Sequence, residues 1–526
     1  MSRNNSTILL CIWAVMLSAL HLQAQSAPKR SPLIVNVVVE GLDDNYLDLL
    51  APLFSHGGFK RLAAGASLSH LDYGTDLDPV AATSMIMTGA APIANGIPAG
   101  WVYDPAVNQV SAIFSDPDYM GNFTDETLSP VPLKVSTLAD EVCIDTGGDG
   151  LVYAVAADPQ MAIALAGHSA NGAYWLTDRT ANWATSSYYG DMPRSVLDRN
   201  YHAPLLLRID TMRWEPALPM DAYPLLSRSE SAKPFKVTFP KKSADRIYRF
   251  KTSPKANTEL TDLAIELIRS SRMGADIYPD MISVAYTVAP VGASRAEVMD
   301  AYIRLDRDLS RLYTEAEHAA GAGNVTFILC GVPATDNGST PDDPRHRIPA
   351  GEYSIRKAIS LLNMYLLAVH GNGDWLAGYY DKQFYLNRKL ITDRGLSLAD
   401  FRAEVADFLA RMAGVCNVYT VDDIIAARVG DDPAALKRNT SIARTGDVII
   451  EINPGWTIVD QPVGSRTSRG VERHNATRIP AYILAPGISP VKIDTPTDAR
   501  AIAPEVSRLL HVRAPNAASA PALRLR

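Results

Sequence analysis

Leu33-Ile34-Val35-Asn36-Val37-Val38-Val39-Glu40 is a near-continuous β-branched run that closes on a carboxylate. Such runs suit a strand covered on both faces, the usual environment of a parallel sheet. Shorter apolar runs follow at 151–156, 281–286, 325–330, 448–452 and 482–485. Helical spacing separates several of them. Across 296–319, Met299, Tyr302, Leu305, Leu309, Leu312 and Tyr313 recur at i, i+3 and i+4 intervals, and a second such pattern covers 352–369. Strands alternating with helices predict an α/β fold with a mostly parallel sheet flanked by helices.

The rhythm breaks twice. Residues 157–250 are rich in aromatic, proline and polar residues, including Tyr174-Trp175, Trp183, Tyr188-Tyr189 and Trp214, and they read as an inserted cap. Residues 371–430 hold a strand-like piece at 383–386 and a helix at 398–412, and they read as a second excursion. The core is therefore expected in two parts, 33–156 and 251–512. The Ala/Pro-rich tail, 513–526, is expected to be disordered.

A chain of 526 residues exceeds one ordinary core. Its net charge of −7 leaves no basic footprint and excludes nucleic acid as the expected partner. The N-terminus reads as a secretory signal over 1–24. Arg3 precedes an apolar run from Ile8 to Leu20, too short for a bilayer span of about 20 residues, and Leu22-Gln23-Ala24 offers a cleavage site. No transmembrane segment is expected in the mature chain, which is placed in the periplasm, on the outer membrane or outside the cell. Cys143, Cys330 and Cys416 are too few and too scattered for a disulfide framework.

Six further blocks run in order along the chain: Gly57-Gly58-Phe59-Lys60-Arg61-Leu62, Met87-Thr88-Gly89, Ala166-Gly167-His168-Ser169-Ala170-Asn171-Gly172-Ala173-Tyr174-Trp175, Tyr302 to Leu309, Tyr385-Leu386-Asn387-Arg388-Lys389-Leu390 and Pro454-Gly455-Trp456. Together they resemble the type I phosphodiesterase/nucleotide pyrophosphatase branch of the alkaline phosphatase superfamily. Within it they are most similar to the secreted, phosphate-irrepressible monomeric alkaline phosphatases. The resemblance implies an alkaline-phosphatase-like core with a cap, and a site in which two zinc ions clamp an in-line displacement at phosphorus begun by a Thr or Ser oxygen.

Carried across residue by residue, the resemblance puts Pro79 at the nucleophile position. It puts Glu40, Ala289, Ala293, Gly331, Val332 and Arg469 at the six ligand positions. Its substrate-binding positions fall at Gly100, Asp158 and Gln160. A proline has no hydroxyl, and of the six only Glu40 has a side chain that ligates zinc. The expectation at this level is a catalytically inactive protein of the cell envelope, with no catalytic residue, no substrate-binding group and no cofactor, using the scaffold to bind an unidentified protein or small ligand. The alternative is a zinc-dependent phosphatase or phosphodiesterase with a rebuilt site. Asp78 would then stand in for the nucleophile, and Asp336, His346 and His474 lie close to lost ligand positions. An Arg469–Glu40 pair replacing the metal charge is a further possibility. His168 and the 174–189 aromatics are read as structural, Asp306 and Asp308 as caps or ion-pair partners, and Asp43-Asp44 as the support of a helix N-terminus.

Overall fold

The computed structural model describes residues 31–525 apart from 76, 106, 291, 335–350, 454–455 and 461–477. The opening run forms the middle strand of a ten-stranded sheet. In chain order its strands are β1 (Leu33–Glu40), β2 (Ala66–Leu68), β3 (Gly121–Asn122), β4 (Val152–Ala156), β5 (Gly172–Leu176), β6 (Trp183–Ser186), β7 (Asp280–Thr287), β8 (Val325–Val332), β9 (Ala481–Leu484) and β10 (Val491–Ile493). The spatial order is β10-β2-β9-β8-β1-β7-β4-β5-β6-β3. The centre, β8-β1-β7-β4-β5, is parallel, and antiparallel pairing enters at β8–β9 and β5–β6.

β1 is buried from Leu33 to Val39 because helices cover both faces. Its one polar interior residue, Asn36, has partners on both sides. Its amide nitrogen donates to Ser283 Oγ of β7 at 3.2 Å and contacts Met87 Sδ at 3.4 Å. An unpaired buried amide would cost about 1–3 kcal/mol, so these contacts make Asn36 tolerable there.

One face carries α1 (Pro79–Thr88), α2 (Leu138–Asp145), α3 (Pro159–Ala166) and α8 (Ile502–Leu510). The other carries α4 (Pro254–Ser270) and α5 (Arg295–Ala320). α5 starts at a Ser294/Glu297 capping box and buries the Met299–Tyr313 stripe foreseen from its spacing.

A smaller antiparallel sheet runs Leu376–Tyr380, Gln383–Leu386, Val448–Ile452, Val415–Thr420, packed with α6 (Ile355–His370) and α7 (Leu398–Ala410). Asp447, 1% exposed, is its electrostatic centre and takes hydrogen bonds from Leu386 N, Arg388 Nε and Arg402 Nε.

Three expected boundaries are corrected. The cap does not begin at 157, since α3, β5 and β6 belong to the main body and Tyr174 and Trp175 lie buried in its sheet. The part standing outside the sheet begins after Ser186. The second excursion is wider than 371–430: its third strand in space is 448–452, a run that by composition passes for a core strand. The tail is held in place rather than disordered. Arg513 Nε bonds Glu141, Asn516 N bonds Ser136 Oγ, Ser519 N bonds the Gly89 carbonyl, and Leu525 N bonds Glu505. Ala/Pro composition cannot reveal that two buried carboxylates elsewhere, Glu141 and Glu505, are waiting for those donors. The signal segment 1–24 lies outside the described residues.

Candidate functional site

β1, β7 and β8 end together. Glu40 pairs in register with Thr287 on one side and Val332 on the other. Beyond Glu40 the chain turns at Gly41, which has φ +77°, and a Cβ there would come within 2.7 Å of the Ala289 Cβ. The structure thus brings Glu40, Ala289, Gly331 and Val332 to one edge of the sheet, as the resemblance requires. Ala293 follows in the turn Pro290–Ala293. Arg469 lies outside the described residues, and so do Asp336, His346 and His474.

Gly331 is a packing residue. A Cβ added to it would meet Ile479 Cγ2 at 2.6 Å, so no side chain fits without moving that strand connection. Its carbonyl accepts the Tyr73 hydroxyl at 2.6 Å. Ala289 and Val332 offer no donor side chain at all.

α1 explains the Asp78-Pro79 pair. Proline suits the first position of a helix, where its missing N–H is not needed. Asp78 is the N-cap, and its Oδ1 accepts Val80 N at 2.8 Å. The same oxygen accepts Gly100 N at 2.9 Å. Burial pushes the Asp78 carboxyl up, the amides of Val80, Gly100 and Ala81 pull it back, and Asp381 adds a like charge, leaving it at about 6. Asp381 stands between the two strands Leu376–Tyr380 and Gln383–Leu386, so that hairpin of the smaller sheet faces the head of α1. Nothing in the sequence signals this approach.

The substrate-binding positions are occupied by structural duties. Gly100 supplies a backbone amide, and a Cβ there would lie 2.9 Å from Val80 Cγ2, 3.3 Å from Gln160 Nε2 and 3.4 Å from Asp78 Oδ1. Asp158 caps α3, accepting Gln160 N at 2.8 Å. Gln160 is 1% exposed and its Oε1 accepts Ile113 N at 3.0 Å. Asp78, Gly100 and Gln160 therefore converge on one spot, while Asp158 stands two residues before Gln160 at the same helix start. The neighbouring wall is aromatic: Tyr103 and Tyr385 lie 4.7 Å apart, and the Tyr103 hydroxyl lies 2.8 Å from the Ala377 carbonyl.

The other residues singled out are structural. His168 Nδ1 lies 3.1 Å from Asp140 Oδ2 and Nε2 lies 2.9 Å from the Leu133 carbonyl. Both ring nitrogens face acceptors, the arrangement of an imidazolium. Asp306 accepts the amides of Ser55 and Phe59, and Asp308 takes Thr258 Oγ1 at 2.9 Å. Asp43 caps the helix that Asp44 begins.

A pair of zinc ions needs three or four donors each. Among the described residues no group of three or more His, Cys, Asp or Glu side chains is placed to share an ion. Glu40 and Asp78 alone do not make such a centre, so the described donors do not fit a two-cation site and no step is routed through one.

Comparison with known proteins corrects the functional expectation. The family model described as type I phosphodiesterase/nucleotide pyrophosphatase matches residues 34–476. Alkaline phosphatase PafA of Elizabethkingia meningoseptica is 28% identical over 96% of this chain and 96% of its own length. Alkaline phosphatase PhoV of Synechococcus elongatus is 26% identical over 93% of this chain and 91% of its own. The crystal structure of PafA superposes with a TM-score of 0.81 at 24% identity, covering 95% of this chain and 99% of that one. End-to-end likeness to proteins named as phosphatases overturns the expectation of an inactive envelope scaffold, and the expectation that no cofactor is needed loses its basis with it. By the extent of the family match, the chain belongs to the type I phosphodiesterase/nucleotide pyrophosphatase family.

Proposed function

We propose that the chain is an exported phosphoric ester hydrolase of the alkaline-phosphatase type, with its proton chemistry at the head of α1. One observation carries the reading. Asp78 caps the buried helix next to the position where the family places its nucleophile, its Oδ1 shared by the Val80 and Gly100 amides, and burial pushes its carboxyl up to about 6. A group whose pKa lies near working pH exchanges protons most effectively. As carboxylate, Asp78 takes a proton from the attacking water; as acid, it returns that proton to the departing oxygen. The Val80 and Gly100 amides hold it in place.

The resemblance makes zinc the cation of such chemistry. Beside Glu40, Asp336, His346 and His474 are donor-type residues close in sequence to the lost ligand positions. The names of the relatives support phosphate esters as the substrate class, and the 1–24 segment supports export. Among the described residues no helix is long and apolar enough to cross a membrane.

The test is hydrolysis of p-nitrophenyl phosphate and bis-(p-nitrophenyl) phosphate by the purified mature chain, with and without added zinc, alongside metal analysis. Turnover that falls by about 10²–10⁴-fold in Asp78→Asn supports the reading. No turnover above the protein-free blank in either condition overturns it.

A further inference from the structure

The charge of the chain is unevenly shared. Residues 187–250, the part standing outside the main sheet, hold 11 Lys and Arg against 7 Asp and Glu. The net +4 of this cap leaves −11 on the rest of a chain that carries −7 in all. The excess is concentrated between Arg228 and Arg249, where seven cations stand against Glu230 and Asp245. Some are held in ion pairs. Lys236 lies 3.2 Å from Glu215, and Lys241 lies 3.0 Å from Asp210, which also takes Arg246. Arg213, Arg228, Lys233 and Lys242 are exposed and have no ion-pair partner among the described residues. Soluble surfaces ordinarily intersperse both signs, because a one-sign field repels itself and draws in anions.

The cap stands at the edge of the sheet where Glu40 lies. Asn257 Nδ2 donates to the Thr287 carbonyl at 2.7 Å, which puts the first turn of α4 at the end of β7, beside Glu40. Arg199 and Arg208 of the cap pair with Glu259, just along the same helix. On α5, Asp300 accepts the Ala217 amide and the Tyr223 hydroxyl, each at 2.6 Å. The ribbon that pairs Arg213–Trp214 with Val237–Thr238 lies against α5 too, with Trp214 Nε1 donating to Asp300 at 2.5 Å. Arg295, the first residue of α5, donates to the Leu225 carbonyl at 3.2 Å and follows Ala293, a ligand-equivalent position, by two residues. The basic segment therefore begins at the rim of the site. Gly100, Asp158 and Gln160 carry no cation, so the cap is where this end of the chain concentrates positive charge.

We propose that Arg213, Arg228, Lys233 and Lys242 form a collecting field that draws anionic phosphate esters to the site and ranks them by charge. The inference deepens the hydrolase reading above and rests on it. A potential does work in proportion to the charge it moves. A dianionic monoester therefore gains twice the logarithmic advantage of a monoanionic diester, and screening salt removes both gains.

The test compares the mature parent chain with Arg213→Glu/Arg228→Glu/Lys233→Glu/Lys242→Glu. Lys233→Glu/Lys242→Glu, with a smaller loss of the same pattern, serves if the four-site variant does not fold. At low ionic strength, kcat/KM for p-nitrophenyl phosphate falls about tenfold or more in the four-site variant, with kcat little changed. For bis-(p-nitrophenyl) phosphate it falls by about the square root of that factor. At about 1 M salt, where the Debye length is about 3 Å, parent and variants coincide. The inference alone is overturned if the parent turns over and the variants match it, lose both esters equally, or keep their loss at high salt. A parent without turnover overturns the hydrolase reading and this inference with it. Phosphatidylglycerol vesicles that bind the parent but not the variants, with kcat/KM unchanged, also overturn it and make an anionic lipid surface the partner of the cap.

Discussion

The Gly100 amide and the Asp78 carboxylate meet at 2.9 Å, which ties the strand-turn-strand piece at 101–112 to the head of α1. The contact fixes the carboxylate and at the same time forbids a side chain at position 100, because a Cβ would press on Val80 Cγ2 at 2.9 Å.

Gly100→Asn, which puts a polar side chain at this substrate-binding position, therefore destabilises the fold instead of adding a substrate contact. The expected loss is about 1–3 kcal/mol, the cost of overpacking a filled site. Urea denaturation measures it. An unchanged midpoint would show that the helix head yields freely.

The Asp78 carboxyl has a sharp pH signature. Its folded pKa stands near 6 against a usual value of 3.8. The folded state thus holds the proton more tightly than the unfolded chain. Stability conferred by the protonated form is present at low pH and is lost as pH rises from about 4 to about 6. Asp78→Asn keeps a capping acceptor and carries no charge, so it flattens that part of the stability curve. Unfolding free energies measured between pH 4 and 7 in both proteins decide the matter.

His168 works in the opposite direction. Burial alone would depress its pKa, but the Asp140 hydrogen bond and charge outweigh burial and raise it. Its contribution is complete below the ordinary histidine value of 6.5 and fades as pH rises through the higher folded value. His168→Gln loses stability mainly on the acid side, and the gap to the parent chain closes at alkaline pH. Thermal melts across pH 5 to 9 reveal this, and a gap independent of pH would exclude a charged imidazole.

Arg513→Ala removes a partner from Glu141, whose side chain is fully buried. Ser136 Oγ remains at 2.6 Å, so the loss is partial, about 1–2 kcal/mol. Ending the chain after Val512 costs more, since Glu505 then loses the amides of Arg524 and Leu525 as well. Denaturant midpoints should rank parent, point variant and truncation in that order.

Much of the architecture is legible in residue order. The β-branched run at 33–39 and the i, i+3, i+4 stripe in 296–319 announce their elements because each buries a face of fixed period. Sheet membership is less visible. Val448–Ile452 has the same composition as a strand of the main sheet, yet it pairs with Gln383–Phe384 and Val415–Thr420. Burial alone dictates such a sequence, and burial is the same in either sheet. At the site the sequence yields positions more readily than function. Glu40, Ala289, Gly331 and Val332 do share one edge, but missing donors at aligned positions speak only about one arrangement of ligands. The duties of Gly100 and Gln160 escaped notice because a backbone amide leaves no mark in a sequence, and the hairpin at Asp381 reaches the site only through long-range packing.

The strap formed by residues 513–525 makes the helix core sensitive to cleavage at a distance. Ser519 fastens the Gly89 carbonyl at the far end of α1, and Leu525 satisfies Glu505 on α8. A single proteolytic nick within 513–525 would therefore unfasten α1 at the end opposite Asp78 and leave the Glu505 carboxylate without two of its amide donors, although the cut lies hundreds of residues away in sequence.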